Sequence, residues 1–280
     1  MVPPTTGFPA WHAHPDVWLV MASVGAGYLC ALRQERVRRG GGGPPVATRR
    51  QLCAFAAGLT IMWVASDWPI HDLGEGYLFS VHMVQHLLYS LVVAPLLILG
   101  LPGWLARRLV GTGRLAAVVR GWTRPLPALI TVNGVILVTH WPAFVDFVVV
   151  HHAAHFGAHV VLFGASLIMW WPVVSPLPEH RISPPYQMLY LFVQTILPTV
   201  PASFLTFGSE PLYHVYARLP RLNGISALSD QQIAGIIMKL GGGFFLYAVI
   251  GVVFFTWHAG EERREGLRAK HPVAAQPMVR

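Results

Sequence analysis

The chain has 280 residues, of which 54% are hydrophobic and only 11% are charged, and its formal net charge is +8. A soluble domain carries roughly 25% charged residues, so this composition predicts a membrane protein and excludes a sizeable soluble domain. The basic residues lie in short loops between apolar segments, where they set membrane topology, so we expect membrane lipid around the chain and no nucleic acid as a partner.

Apolar runs bounded by charge, proline or glycine predict an all-α fold, a polytopic bundle of about seven transmembrane helices. The predicted spans are 16–32, 51–67, 79–101, 126–142, 152–174, 186–207 and 230–257. Residues 1–260 are expected to form one transmembrane domain, and the basic segment 261–280 is expected to be a disordered cytoplasmic tail. Gly40–Gly43 predict a flexible linker between the first two spans.

The distribution of positive charge predicts the orientation of the bundle. All but three of the 20 Lys and Arg residues fall in alternate loops and in the C-terminal tail. Such loops are cytoplasmic in membrane proteins, which places the N-terminus outside and the C-terminus inside. Cys30 and Cys53 flank the first of these loops, so we expect them to be free thiols in a reducing compartment.

Prolines interrupt two of the predicted spans. Pro95 lies in the third span, and Pro198 and Pro201 lie in the sixth. Proline removes a backbone hydrogen bond and kinks a helix, so two interpretations stand: ordinary packing kinks, or a kink that opens a cavity beside a site at the outer face.

Histidines show the reverse distribution from arginines, since all but three of the 14 fall on the predicted outer side. His82 and His86 are spaced i, i+4 on one face of the third span, and His155 and His159 repeat that spacing on the fifth. An imidazole in hydrocarbon without a partner costs a few kcal/mol. The four rings therefore predict either a metal or cofactor site or a structural polar network.

Several further residues are candidates for the same site. His151 and His152 are predicted to lie near the membrane surface. They would act either as additional metal ligands or as an interfacial cap. The predicted accessory residues are Met83, Asp67, Asp146, Asp230 and Lys239: a thioether suited to cuprous ion, three carboxylates that can orient imidazoles, and a buried cation. Interfacial or solvated roles are the simpler interpretation for His12, His14, His71, His214, Asp72, Glu75 and Glu210.

The sequence contains no nucleotide-binding or hydrolase motif, so we do not expect an enzyme. Three other functions stay open for the histidines: a haem-binding cytochrome with axial histidines on the third and fifth spans, a proton relay or transporter, and a metal-dependent hydrolase. The inner half lacks a polar chain for a relay, and no intramembrane carboxylate accompanies the histidines as a general base.

Four motifs in order resemble the CtaG family of cytochrome c oxidase assembly factors over roughly residues 15–260. They are HMVQH (82–86), PLLILGLP (95–102), the series from HWP at 140 through HHAAHFGAH (151–159) to WWP (170–172), and DQQIAGIIMK (230–239).

The resemblance implies a multipass protein of the bacterial plasma membrane that delivers copper to a maturing oxidase subunit or stabilises that subunit. The resemblance does not identify the metal donor. A scaffold role without metal is an alternative. The family's histidine motifs fall on His82, His86, His151, His152, His155 and His159, and its acidic start of the last helix falls on Asp230. Lys239 stands where the family is expected to have an aromatic residue.

Overall fold

The structure, a computed structural model, describes residues 9–40 and 43–270 and contains helices and turns but no strand within these ranges. Glycines 41 and 42 of the predicted linker, and residues 271–280 of the predicted tail, lie outside this part of the chain. The helices are α1 (Pro15–Arg38), α2 (Arg49–Ser66), α3 (Ile70–Gly76), α4 (Phe79–Leu99), α5 (Gly103–Val110), α6 (Gly113–Trp122), α7 (Pro125–Thr139), α8 (Pro142–Val149), α9 (His152–Val174), α10 (Pro184–Phe207), α11 (His214–Arg218), α12 (Ala227–Ile236) and α13 (Gly242–Lys270).

The number of spans agrees in part with the prediction. In the described chain five helical stretches are long and apolar enough to cross a membrane, and up to seven if the bent pairs α2–α3 and α7–α8 each count as one span. The α7–α8 pair bends by 71°. Pro142 explains that bend, because the residue before a proline is driven to extended backbone, and Trp141 has φ −70° and ψ 128°.

The two ends of the bundle differ in composition. We call one end histidine-rich; it contains His14, His71, His82, His140, His152 and the N-termini of α4, α9 and α12. The other end is arginine-rich; it contains Arg38, Arg39, Arg49, Arg107 and Arg124. There the Tyr28 hydroxyl donates to the Gly100 carbonyl at 2.8 Å, and Arg107 pairs with Glu179. Which end faces the cytoplasm stays a prediction from the charges.

The main apolar core lies where α4, α7, α9 and α10 meet, around Ile98, Val132, Trp170 and Leu191. Residues Leu88–Val93 of α4 form a π-helical segment just before Pro95. The Trp170 indole of α9 donates to the Ser90 carbonyl in that segment at 2.7 Å. A wider turn leaves carbonyls for such partners, so the irregularity of α4 also fixes α9 against it.

A second π-helical segment, Ile237–Gly241, joins α12 to α13. A Cβ atom added at Gly241 or at Gly242 would lie 3.5 Å from the Leu87 side chain of α4. Such a distance is an ordinary van der Waals contact, so the last span packs against α4 at the depth where both helices are irregular. Pro198 similarly separates the two segments of α10, Pro184–Ile196 and Thr199–Phe207.

Asp230, at the start of the last span, fixes the position of α4. Its side chain is only 1% exposed and accepts hydrogen bonds from the backbone N–H groups of Phe79, at 2.7 Å, and Ser80, at 3.1 Å. The first N–H groups of a helix have no partner within it, and a carboxylate there also meets the positive end of the helix dipole. The histidines of α4 therefore depend on a contact made from α12.

The helix α13 continues past the predicted boundary at residue 260 to Lys270, and the disorder of the basic tail stays a prediction. Glu261 accepts a hydrogen bond from Arg264 at 2.9 Å, and His258 lies 3.4 Å from Glu262. Such i, i+3 and i, i+4 pairs support a helix that has already been nucleated within an apolar span.

The orientation can be tested by cysteine labelling in a background where Cys30 and Cys53 are alanine. Ser209 is exposed at the histidine-rich end and Thr112 is exposed at the arginine-rich end. We expect a membrane-impermeant maleimide to label Ser209→Cys in intact cells and Thr112→Cys only after lysis, because arginine-rich loops stay in the cytoplasm. The reversed pattern would show that the charge-based orientation is wrong.

The role of Asp230 predicts a loss of stability in Asp230→Asn. The amide keeps the shape of the carboxylate but loses its charge and one acceptor oxygen, so we expect a loss of about 1.5–3 kcal/mol in unfolding free energy. Denaturation in detergent measures this loss in unfolding free energy. The matched control is Glu261→Gln on the exposed part of α13, which should lose about 0.5 kcal/mol or less. Equal stability of the two variants would contradict the capping role.

Candidate metal centre

Three histidines from two helices converge near the histidine-rich end. One ring nitrogen each of His82, His155 and His159 lies within 4.8 Å of the other two. His82 and His155 are buried, with 6% and 4% exposure, and His159 is half-buried. The i, i+4 spacing within α9 and the packing of α4 against α9 produce this convergence, and such a set of donors has the dimensions of a metal site.

The contact between His155 and His159 is direct, with 2.9 Å between their Nε2 atoms. The Nδ1 atom of His155 lies 2.6 Å from Oε1 of Glu75. A carboxylate only accepts, so His155 Nδ1 carries the hydrogen and its Nε2 accepts one from His159. Two nitrogens bound tetrahedrally at about 2.0–2.1 Å would lie roughly 3.3 Å apart, so an ion could replace this hydrogen with only a small movement.

Glu75 joins the cluster to a polar network on α2, α3 and α4. The same Oε1 atom lies 3.2 Å from His71 Nε2, and His71 Nδ1 lies 3.4 Å from the amide of Gln85. Gln85 is fully buried and donates to the Ala65 carbonyl at 2.7 Å and to the Tyr89 hydroxyl at 3.1 Å. The network fixes Glu75, and through Glu75 it fixes the ring of His155.

His86 and His140 extend the cluster into the bundle. The His86 ring centroid lies 4.2 Å from that of His82, 5.0 Å from that of His159 and 6.4 Å from that of His140. These histidines, with His155, line a small enclosed cavity of about 20 Å³. That volume suits a single water molecule or ion.

Three ring nitrogens in this cluster are buried without a hydrogen-bond partner in the described chain: Nδ1 of His82, Nδ1 of His86 and Nε2 of His140. Buried polar atoms are nearly always paired, because an unpaired one loses its hydration without compensation. The three ring nitrogens around this small cavity therefore fit a bound ion, because an ion would give each of them the partner that the protein does not.

A larger pocket of about 400 Å³ reaches the cluster from the side. It lies between α1, α2, α3, α4 and α9, and it exposes one side of His155 and His159. The polar and sulfur-bearing residues that line it are Asp16, Met21, Met62, Ser66, His71, Glu75, Tyr89, His152, His155 and His159. The histidine cluster is thus accessible from the side of this pocket.

The two remaining predicted histidine ligands lie outside the cluster. His151 is exposed, donates from Nδ1 to the Phe147 carbonyl at 2.7 Å and stacks on the Phe147 ring. His152 is exposed and lines the side pocket. His151 is four residues before His155, a spacing that shares one face within a helix, but it precedes α9 with extended backbone (φ −123°, ψ 94°) and therefore leaves that face.

The predicted accessory carboxylates have other partners. Asp67 accepts from the indoles of Trp18, at 2.7 Å, and Trp63, at 2.8 Å, and so joins α1 to α2. Asp146 accepts from the backbone N–H of Val215 at 2.9 Å and lies 3.0 Å from His214.

The other two accessory candidates line cavities. Met83 is 3% exposed and faces both the small cavity and a second one of about 80 Å³. The prediction that Lys239 is a buried cation is wrong, because its side chain is exposed in the structure, although the residue also lines that second cavity together with Pro198 at the break in α10.

Sequence reasoning missed three residues of the site: His71, Glu75 and His140. It placed His71 and Glu75 in interfacial or solvated positions, although their i, i+4 spacing is the same as that of the recognised histidine pairs. The short helix α3 was not predicted, and an i, i+4 spacing indicates a shared face only within a helix. His140 follows the last residue of α7, where only the bend before α8 directs it inward.

These features define a multipass helical membrane protein with a buried imidazole cluster near one end. A family model described as cytochrome c oxidase caa3 assembly factor (Caa3_CtaG) matches residues 26–259. The chain belongs to this family of cytochrome c oxidase assembly factors, which confirms the resemblance seen in its motifs.

The chain is also similar to an uncharacterized protein of Mycobacterium leprae, with 24% identity over 93% of this chain and 41% of that protein. It therefore spans less than half the length of this relative. No solved structure matches the chain.

Proposed function

We propose that this chain binds a copper ion at His82, His155 and His159 and passes it to a cytochrome c oxidase subunit in the same bacterial plasma membrane. The observation that carries the proposal is the convergence of the three ring nitrogens within 4.8 Å in a largely buried position. Membership in an oxidase assembly family supports an oxidase subunit as the recipient.

The donor chemistry supports an exchangeable site. Imidazole suits copper among other transition metals, and the thioethers of Met21 and Met62 in the side pocket favour the cuprous state. The side pocket gives a donor or recipient access to His155 and His159. An ion can therefore enter and leave by ligand exchange without unfolding the bundle.

Glu75 is a positioning residue in this proposal. Its carboxylate holds His155 through Nδ1, which leaves Nε2 directed at the cluster. Carboxylate–histidine pairs of this kind fix the tautomer and raise the basicity of a metal-binding imidazole. The buried network through His71 and Gln85 holds the carboxylate in place.

The haem alternative is less compatible with this geometry. An ion held by axial histidines on α4 and α9 would need a porphyrin between the two helices, whereas the rings of His82 and His155 lie 5.2 Å apart beside a cavity of about 20 Å³. If no copper binds, the chain acts as a scaffold for oxidase assembly without metal.

The first experiment measures copper by mass spectrometry in the detergent-purified chain after growth with added copper. We expect at least one copper ion per chain in the wild type and about one ion fewer in His82→Ala and in His155→Ala/His159→Ala, because each variant removes ligands from one site. His258→Ala is the matched control, since His258 is exposed on α13 far along the chain from the cluster.

Oxidase maturation is measured in the same strains and should fall together with copper content. A reduced-minus-oxidised absorbance spectrum of the same samples tests for haem. Copper-free wild-type protein with an intact fold and no haem bands would contradict the proposal and favour a scaffold. Equal copper in every variant would place the metal elsewhere.

A second prediction concerns Glu75→Gln, which keeps the side-chain shape but removes the charge that orients His155. We expect copper affinity to fall about 10–100-fold, as for other partners of metal-bound histidines. Competition with a copper chelator measures the affinity, and Glu210→Gln, an exposed residue at the same end, is the control. Unchanged affinity would show that Glu75 has only a structural role.

A further inference from the structure

His140 has the tautomer of a metal ligand although it lies outside the three-histidine site. Its Nδ1 atom lies 2.8 Å from the Ile136 carbonyl, and a carbonyl only accepts, so Nδ1 carries the hydrogen. Nε2 therefore has a free lone pair, and it is buried without a partner in the described chain. A backbone carbonyl on one ring nitrogen commonly fixes the other as a metal ligand.

His86 is the histidine that His140 faces. Their ring centroids are 6.4 Å apart and their planes are at 78°, and His140 has no other histidine ring contact among the described residues. An ion bound about 2 Å from one nitrogen of each ring would place the centroids roughly 6 Å apart. Nδ1 of His86 is also buried and unpaired, so both rings offer a nitrogen.

Met83 supplies a third donor next to this pair. It precedes His86 by three residues on α4, which places the two side chains on neighbouring parts of one helical face. Met83, His86 and His140 line both the 20 Å³ cavity and the 80 Å³ cavity, and the larger cavity also contacts Met238 and Lys239. Two imidazoles with a thioether form a soft, uncharged set of ligands, which suits a cuprous ion.

We infer that His86, His140 and Met83 form a second, deeper site for cuprous ion. This inference rests on the proposed copper function and extends it to two sites in sequence. His86 lies one helical turn, about 6 Å, further into the bundle than His82, and its ring contacts those of His82 and His159. Copper passes between the sites by exchange of ligands, with one Cu–N bond forming as another breaks and with no change of oxidation state.

The test loads the full-length purified chain with cuprous ion under anaerobic conditions and measures bound copper per chain. We expect about two ions in the wild type and about one in His140→Asn. Asparagine keeps an N–H group at the position of Nδ1, so the bond to the Ile136 carbonyl is retained while Nε2 is removed. His258→Asn is the control and should bind as the wild type does.

X-ray absorption provides an independent readout of the thioether. We expect copper–sulfur scattering in the wild type and its loss in Met83→Leu, a substitution of similar volume that preserves the fold. His155→Ala/His159→Ala should keep one ion and the sulfur signal, because it removes the first site only.

The outcomes separate the two proposals. If His140→Asn binds as much copper as the wild type, or if Met83→Leu leaves the absorption spectrum unchanged, the second site is wrong. The three-histidine site then stands if copper is still lost in His155→Ala/His159→Ala. If the wild type binds no cuprous ion, both proposals fall.

Discussion

The cost of burying polar groups in an apolar bundle is the constraint on which this structure depends. Most buried polar groups meet it within the protein: Asp230 accepts from the start of α4, Gln85 donates to the Ala65 carbonyl, and Glu75 holds His155. The side-chain oxygens of Gln85 and Asn133 lack a hydrogen-bond partner in the described chain, and so do ring nitrogens of His82, His86 and His140. The proposed copper sites coincide with these ring nitrogens.

Irregular helices shape the space around these imidazoles. The π-helical segments Leu88–Val93 and Ile237–Gly241, the bend after α7 and the break at Pro198 all lie near the cavities beside His86 and His140. Straight helices would close these cavities by regular side-chain packing, whereas a wide turn or a break moves side chains out of register. Non-helical backbone is tolerated at such depth only where protein or a polar cavity surrounds it.

The position of the histidine cluster also fits the work of an assembly factor. The side pocket opens between α1 and α9, and α1 is attached there mainly through polar contacts, His14 with Asp72 and Trp18 with Asp67. A partner in the same membrane would approach the cluster from this side. The same geometry allows exchange of a cargo ion, whereas a permanently held cofactor needs no such access.

The sequence by itself determined the class of protein, the positions of the long apolar helices and the two i, i+4 histidine pairs, because these depend on composition and on local periodicity. It also identified the family through the order of its motifs. Tertiary structure alone decided which imidazoles meet, that Asp230 holds the start of α4 and that Glu75 and His140 belong to the cluster. These contacts join residues up to 151 positions apart, and local spacing carries no information on such pairs. It also decided that His151 points away, because His151 precedes α9 with extended backbone (φ −123°, ψ 94°) and its ring bonds to the Phe147 carbonyl.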